Sequence, residues 1–301
     1  MPHLIECLKS AFGAAYTAPA RQVLRLPGGE GTRVLLCMPA FEPSGGGAIK
    51  VSTVFPDNPA KGLPAVQGAI VVFSETGAPI ALLDSAVVTR LRTGAASALA
   101  STFLSRHDSV HLVIIGTGPL APHMAVAHCA VRPISRISVC GRRAERAVAT
   151  MEAIRSLVGP EIQVHISDST EAAIVTADIV CCATSSAAPV LAGKWLKPGT
   201  FVDLVGGFSP LKREADDDVM LRSRIFVDTF EGALNEAGDI IDPLKRGIID
   251  RPRIEGELAD LVCGRSRGRV DADEIIVFKS VGTAIEDLAT TRVILAAANQ
   301  G

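Results

Sequence analysis

The chain has 301 residues, a length that allows two domains and a substantial hydrophobic core. Hydrophobic residues make up 48% of it and charged residues 21%, which is typical of a globular protein and not of a disordered one. The formal net charge of -2 argues against nucleic acid or an anionic membrane as a partner. The sequence contains no long apolar run of the kind that spans a membrane, and residues 1–6 lack the pattern of a signal peptide. We therefore expect a cytoplasmic protein.

The seven cysteines are irregularly spaced, and most have apolar neighbours. This pattern predicts reduced, buried thiols and not a disulfide framework. No metal site is predicted either. His123 and His128 are five residues apart on a predicted helix, so their side chains point in different directions.

The first hundred residues read as β-strands followed by one helix. Runs of β-branched and apolar residues, bounded by Gly and Pro, predict strands over 33–38, 48–54, 69–73 and 79–83. The last two flank Ser74-Glu75-Thr76-Gly77, which suits a hairpin turn. Asp84 is a candidate N-cap for a helix that extends to about Leu104, and the many small residues of that helix predict close packing against another element.

From Val110 onward, apolar strands alternate with helical stretches. The predicted strands are 110–115, 136–140, 163–167, 179–183, 201–205, 225–228 and 275–278. The predicted helices are 119–130, 143–157 and 283–298. Strands separated by helices of this length indicate a parallel, doubly wound sheet.

A glycine-rich turn links the first of these strands to its helix. The strand Val110–Ile115 leads into Gly116-Thr117-Gly118-Pro119-Leu120-Ala121, a G-x-G-x-x-A string in the strand–turn–helix context of a dinucleotide site. The first glycine permits the tight turn, the second lets the backbone approach a pyrophosphate, and Pro119 suits the first helical turn. The alternative is a tight turn that binds no ligand.

The next strand indicates which nucleotide is bound. Where an NAD enzyme usually carries Asp or Glu, this chain has Gly141-Arg142-Arg143. Guanidinium groups pair with a 2′-phosphate, so the sequence favours NADPH and leaves NADH as a weaker cofactor. The alternative is that one or both arginines are solvated surface charges.

Two cations stand out in the N-terminal part. Lys50 shares one face of its predicted strand with Ala48, Ser52 and Val54, and a lysine on such a face needs a partner or a function. The alternative is an edge-strand lysine that reaches solvent. On the following helix, the pattern does not show whether Arg90 or Arg92 is buried.

Taken together, five segments resemble the ornithine cyclodeaminase/μ-crystallin family over nearly the whole chain. They are Ile49-Lys50-Val51, Phe55-Pro56-Asp57-Asn58, Thr89–Ala96, Gly116-Thr117-Gly118 and Ser280–Asp287. The resemblance implies an α/β fold, a Rossmann-type doubly wound parallel sheet plus a smaller α+β substrate-binding and dimerisation domain. It implies a homodimer, with residues 1–105 and 285–301 in the substrate-binding domain and residues 106–284 in the NADP(H)-binding domain.

The same resemblance implies roles for individual residues. Arg21, Lys50 and Arg92 match positions around the substrate carboxylate. Thr93, Thr184, Val205, Ser280 and Gly282 match positions that line the dinucleotide. With the glycine-rich turn and the arginine pair, the predicted nucleotide-binding residues are Arg92, Thr93, Gly116, Thr117, Gly118, Pro119, Leu120, Gly141, Arg142, Arg143, Thr184, Val205, Ser280, Val281 and Gly282.

One departure from the family pattern bears on the reaction. True ornithine cyclodeaminases have Gly-Gly-Asp after the strand that ends at Val205, whereas this chain has Gly206-Gly207-Phe208. Phenylalanine cannot transfer the protons that deamination requires. This chain therefore resembles the family's ketimine reductases, which lack that Asp, more than its deaminases. The resemblance thus implies NADPH-dependent reduction of Δ1-pyrroline-2-carboxylate and Δ1-piperideine-2-carboxylate. The candidate proton donor is Lys50 or a water that it holds. The alternatives are an alanine-type NAD(P)-dependent dehydrogenase, an ornithine cyclodeaminase, or a protein that binds NADPH and a ligand without catalysis.

Overall fold

The structure, a computed structural model, describes residues 1–27 and 33–299. Two compact units are present. The larger comprises Met1–Ile5 and Thr93–Val281, and the smaller comprises Glu6–Arg92 and Gly282–Gly301. The domain limits given above stay a prediction.

The larger unit contains an eight-stranded sheet whose paired strands are all parallel. Its strands are β6 (His111–Ile115), β7 (Arg136–Cys140), β8 (Gln163–Ile166), β9 (Ile179–Cys182), β10 (Phe201–Leu204), β11 (Arg224–Val227), β12 (Ile254–Glu257) and β13 (Ile276–Lys279). Their order is β12-β11-β13-β10-β9-β6-β7-β8. The order reverses between β6 and β9, which is where doubly wound sheets bind ligands. The predicted parallel, doubly wound sheet is confirmed.

Helices join these strands. They are α3 (Ala121–Cys129), α4 (Ala144–Val158), α5 (Thr170–Val175), α6 (Asp217–Arg222), α7 (Phe230–Glu236), α8 (Gly238–Lys245) and α9 (Leu258–Val262). Every residue of β6, β9, β10 and β13 is buried, as expected for central strands with helices on both faces. This is why these strands appear in the sequence as short, mostly apolar runs.

The smaller unit contains a five-stranded antiparallel sheet in the order β1-β2-β3-β4-β5. Its strands are β1 (Gln22–Arg25), β2 (Val34–Phe41), β3 (Gly47–Val54), β4 (Val66–Phe73) and β5 (Pro79–Asp84). The helix α10 (Ala284–Ala298) packs against β2 and β3, and its Leu288 belongs to the same core as Met38 and Ile70. This packing of a C-terminal helix on an N-terminal sheet positions the cations described below.

Two further helices are α1 (Pro2–Phe12) and α2 (Ser85–Leu104). The chain passes from one unit to the other within each of them, after Ile5 and after Arg92. The Asp84 carboxylate accepts from the backbone N–H of Ala86 at 2.6 Å, which confirms the predicted N-cap of α2. Close packing of α2 is also confirmed, since a Cβ on Gly94 would lie 3.0 Å from the backbone oxygen of His123 in α3.

Several elements differ from the sequence prediction. The helix α1, the strand β1 and the α7–α8 pair were not predicted, and neither were the strand β12 and the helix α9. Pro119 precedes the helix instead of lying in its first turn, because α3 begins at Ala121 and Pro122 occupies the early position. Among the described residues, no helix is both long and apolar enough to cross a membrane.

Candidate functional site

The turn after β6 has the geometry of a nucleotide-binding loop. Gly116 has a φ of 127°, and a Cβ there would overlap the backbone oxygen of Ala183 after β9. A Cβ on Gly118, in contrast, would meet no atom within 4 Å, so the backbone there is open to a ligand. The first glycine thus permits the turn and the second permits close approach, as predicted from the motif.

A cavity of about 510 Å³ lies in the larger unit beside this turn, which is within the usual size range of cofactor sites. It is lined by Ile115, Gly116, Thr117, Gly118, Cys140, Gly141, Arg142, Arg143, Arg146, Thr170, Ala183, Thr184, Ser185, Ser186 and Val190. These residues include the ends of the adjacent strands β6 and β9, where the strand order reverses. The cavity therefore has the position and the glycines that a dinucleotide requires.

Three guanidinium groups border this cavity. Arg142 and Arg143 follow β7, and Arg146 lies in the first turn of α4, a residue that the sequence analysis did not single out. All three are exposed. Exposed cations beside a nucleotide cavity suit a phosphate that stays in contact with water. Arg142, Arg143 and Arg146 are thus suited to the predicted 2′-phosphate.

The other predicted nucleotide-binding residues do not line this cavity. Pro119 and Leu120 lie in the turn before α3. Thr93, Val205, Ser280 and Val281 are buried elsewhere in the larger unit. Arg92 and Gly282 belong to the smaller unit.

Lys50 points into the core of the smaller unit. Its side chain lies on β3 and is only 5% exposed. The ammonium is 2.7 Å from a carboxylate oxygen of Asp287 in α10, and it also donates to the hydroxyl of Thr89 at 3.4 Å. The alternative of an edge lysine that reaches solvent is therefore wrong. Lys50 is buried because it has an acidic partner on the helix that covers its strand.

The structure also distinguishes the two arginines of α2. Arg92 is 7% exposed, whereas Arg90 is half-buried. The guanidinium of Arg92 donates to Glu286 at 2.8 Å and lies 3.4 Å from Asp287. Gly282, with a φ of 84°, leaves the space for it, since a Cβ there would overlap the guanidinium.

Arg21 completes this cluster, because it donates to the backbone oxygen of Gly282 at 2.9 Å. The structure thus brings together the three cations that were predicted to bind the substrate carboxylate. It adds Glu286 and Asp287, which the sequence analysis quoted in a motif without giving them a role. The sequence did offer one signal for these acids, because a lysine predicted to be buried needs an acidic partner.

The cluster combines three cations, Arg21, Lys50 and Arg92, with two carboxylates, those of Glu286 and Asp287. Burial lowers the pKa of Lys50 to about 8, the nearby Asp287 opposes this shift, and Arg92 and Arg21 add to it. A lysine with that pKa is largely protonated at neutral pH and can still release its proton.

Phe208, at the position where the deaminases have Asp, packs against the hydrophobic core of the larger unit. The ammonium of Lys212 lies 4.8 Å from the centre of its ring, a cation–π contact that the sequence did not predict. Burial lowers the pKa of Lys212. Phe208 itself offers no group that can accept a proton.

A second group of polar side chains is fully buried in the larger unit. His128, Cys181 and Asp203 hold potential metal-ligand atoms within 4.8 Å of one another. The two oxygens of Asp203, however, already accept from Ser97 and His128, each at 3.1 Å. We interpret this group as a hydrogen-bonded network that joins β10 to α2 and α3.

Comparison with known proteins agrees with this geometry. The sequence profile of the "Ornithine cyclodeaminase/mu-crystallin family" matches residues 4–301. The chain belongs to this family. The resemblance described above is thereby confirmed.

Within the family, a Delta(1)-pyrroline-2-carboxylate reductase of Colwellia psychrerythraea is 38% identical over 97% of this chain and 93% of its own length. Among solved structures, the Thermococcus litoralis Delta(1)-pyrroline-2-carboxylate reductase in complex with NADH and L-proline is 36% identical. It has a TM-score of 0.94 and covers 99% of this chain and 93% of its own. An archaeal alanine dehydrogenase dimer with bound NAD is 28% identical, with a TM-score of 0.91, over 99% of this chain and 92% of its own.

Proposed function

We propose that this family member reduces the C=N bond of small cyclic imino acids with a nicotinamide nucleotide. The products are L-proline from Δ1-pyrroline-2-carboxylate and L-pipecolate from Δ1-piperideine-2-carboxylate. The observation that carries the proposal is the cluster that brings Arg21 together with the buried cations Lys50 and Arg92. The two pyrroline-2-carboxylate reductases among the relatives support it.

In the proposed mechanism, Arg92 and Arg21 pair with the carboxylate of the imino acid and fix its orientation. Glu286 keeps the Arg92 guanidinium in place through its 2.8 Å hydrogen bond. Lys50 donates a proton to the imine nitrogen, which makes the adjacent carbon a better hydride acceptor. The bound nucleotide supplies the hydride. Lys50 is left neutral, still beside Asp287, and regains its proton from water.

The proposed nucleotide is NADPH, with NADH as a weaker substitute. Arg142 and Arg143 support this choice because they border the cavity where a 2′-phosphate would lie after β7. Thr117, Gly118 and Thr184 also line the cavity and are proposed to contact the rest of the nucleotide. The nucleotides seen in the relatives, NADH and NAD, do not distinguish between the two.

Replacing both Arg142 and Arg143 with alanine should raise the KM for NADPH by about 10²-fold, because two charge-assisted contacts to phosphate are lost. The KM for NADH should change by no more than about twofold, since NADH has no phosphate at that position. Steady-state kinetics with each nucleotide checks this, with the single variants and Arg146→Ala as comparisons. An equal loss for NADH and NADPH would assign the arginines to a different part of the nucleotide.

The pH dependence should follow Lys50. Its pKa of about 8 belongs to the protein without imino acid, so kcat/KM for the imino acid at saturating NADPH should be constant below neutral pH and fall as the pH rises through about 8, where the donor loses its proton. A Lys50→Arg variant keeps its charge at high pH. Whatever activity it retains should therefore lose this decline. An unchanged decline in that variant would show that another group titrates.

Phe208 supports imine reduction over deamination. Ornithine cyclisation requires a group that moves protons at this position in the deaminases, and a phenyl ring cannot do so.

The alanine dehydrogenase among the relatives supports a second candidate function, in which pyruvate and ammonia are the substrates. We further propose that the chain acts as a homodimer, as that relative does.

The test is a substrate panel with purified protein. Nucleotide absorbance is followed with each cyclic imine, with pyruvate plus ammonia, and with ornithine plus NAD+ as the control. We expect rapid NADPH oxidation with the cyclic imines alone. Faster turnover of pyruvate plus ammonia would favour the dehydrogenase, release of ammonia from ornithine would favour the deaminase, and oxidation with none of them would favour a binding protein.

A further inference from the structure

Glu214 is a fully buried carboxylate on which four hydrogen-bond donors converge. One of its oxygens accepts from the backbone N–H of Thr184 at 2.7 Å and from the hydroxyl of the same residue at 2.9 Å. The other accepts from the N–H groups of Gly206 at 2.6 Å and Gly207 at 3.3 Å. Its relative exposure is 0%. Nothing in the proposed mechanism uses this group.

These donors belong to two different loops. Thr184 follows β9 and lines the nucleotide cavity, whereas Gly206 and Gly207 follow β10. Since β9 and β10 are adjacent and parallel, both loops lie at the carboxyl edge of the sheet, which is where doubly wound folds bind nucleotides. The Glu214 carboxylate therefore connects two neighbouring loops at that edge.

Gly206 is packed directly against the loop after β9. A Cβ on Gly206 would overlap the backbone oxygen of Thr184, so the two loops approach each other too closely for a side chain between them. The N–H groups of Gly206 and Gly207 are buried, and they require an acceptor. Glu214 lies further along the same connection between β10 and α6, and its side chain reaches back to them.

A second acid and a lysine hold Glu214 in place. Asp239 accepts from the backbone N–H groups of Glu214 at 2.7 Å and of Ala215 at 3.0 Å. Lys279 lies 3.2 Å from the other oxygen of Asp239. All of these side chains are buried, so the carboxylate has a fixed position relative to the sheet.

We propose that Glu214 is a positioning residue for nucleotide binding, which holds the loops after β9 and β10 in the arrangement that the nucleotide requires. This inference rests on the proposed function, because it assumes that the cavity beside Thr184 binds a nucleotide. It adds a residue that neither the sequence analysis nor the proposed mechanism used.

The first test compares two carboxamide variants. Each oxygen of Glu214 accepts from the donors of one loop. In Glu214→Gln an NH₂ group replaces one of these oxygens, so the donors of one loop lose their acceptor. Asp178→Asn is the matched control. Asp178 is also buried and accepts from two backbone N–H groups, those of Val110 at 2.9 Å and His111 at 3.0 Å, but it lies at the amino ends of the strands.

Fluorescence titration should give a dissociation constant for NADPH that is about tenfold higher in Glu214→Gln than in the wild-type chain. The value for Asp178→Asn should stay within about twofold of wild type, even where thermal unfolding shows that both variants are destabilised. Equal affinity in Glu214→Gln and the wild type would overturn the inference. So would an equal loss of affinity in both variants, because Glu214 would then act only through stability.

The second test uses the wild-type chain and needs no folded variant. Burial raises the pKa of Glu214 to about 7, against the opposing charge of Lys279 and with a further rise from Asp239. Lys212 and the Cys182 thiol also face this group. As the pH falls below about 7, the carboxyl gains a proton and one oxygen no longer accepts from both of its donors. The affinity should therefore decrease.

NADH is the probe for this measurement, because it lacks the 2′-phosphate, which itself titrates near pH 6. Its dissociation constant should rise by several-fold between about pH 8 and pH 6, and Glu214→Gln, where it folds, should lose this dependence. A constant affinity in the wild type would overturn the inference. Failure of the wild type to bind either nucleotide would instead contradict the proposed function.

Discussion

Replacing Lys50 with methionine should lower kcat by about 10²-fold or more, the effect expected when a general acid is removed. Methionine keeps an apolar stem in the core but has no ammonium, so the imine nitrogen loses its proton donor. Asp287 still has Arg92 at 3.4 Å, and the carboxylate is therefore not left without a cation. Steady-state kinetics with Δ1-pyrroline-2-carboxylate and NADPH measures the loss.

Lys61→Met is the control for this variant, since Lys61 is an exposed lysine of the same unit and should tolerate the change. The KM for NADPH should stay unchanged in both variants. A near-normal kcat with a raised KM for the imino acid would assign Lys50 to substrate binding and not to proton transfer.

Replacing Arg92 with leucine should raise the KM for the imino acid by about 10²-fold, because a buried guanidinium that pairs with a carboxylate contributes about 2–3 kcal/mol. The variant also leaves Glu286 buried without its 2.8 Å hydrogen bond from Arg92, so a lower unfolding temperature should accompany the kinetic effect. Arg92→Lys keeps the charge but not the two parallel N–H groups, and it should recover only part of the affinity.

Arg90→Leu provides the matched control, because it is the same substitution two residues away on the same helix, at a half-buried position. Its KM for the imino acid should remain within about twofold of wild type. If Arg90→Leu impaired substrate binding as much as Arg92→Leu, the assignment of the carboxylate to Arg92 would be wrong.

Much of the fold could be predicted from the sequence because the central strands are buried on both faces. Apolar runs such as Ile179–Cys182, separated by helices, have few other structural solutions. The helix α1 and the pair α7 and α8 were not predicted, because they lack such a clear sequence pattern. α7 and α8 are short, and α8 contains Pro243, so their formation depends on packing more than on local pattern.

The nucleotide loop was predictable because it is local, with both glycines in one turn. The cation cluster was predictable only in part. Lys50 was singled out by its place on an apolar strand face, and Arg92 by the family resemblance. The burial of both depends on α10, which is more than 190 residues away in sequence. Glu214 could not be found at all, because three of its four donors are backbone N–H groups, which carry no sequence signal.

The most direct measurement of the central claim follows the hydride itself. NADPH that carries deuterium at C4 of the nicotinamide is mixed with Δ1-pyrroline-2-carboxylate and the protein, and the proline formed is analysed by mass spectrometry and NMR. We predict L-proline with deuterium at C2, transferred from one of the two C4 positions. Proline without deuterium at C2, or no proline at all, would contradict the proposed reduction of the C=N bond.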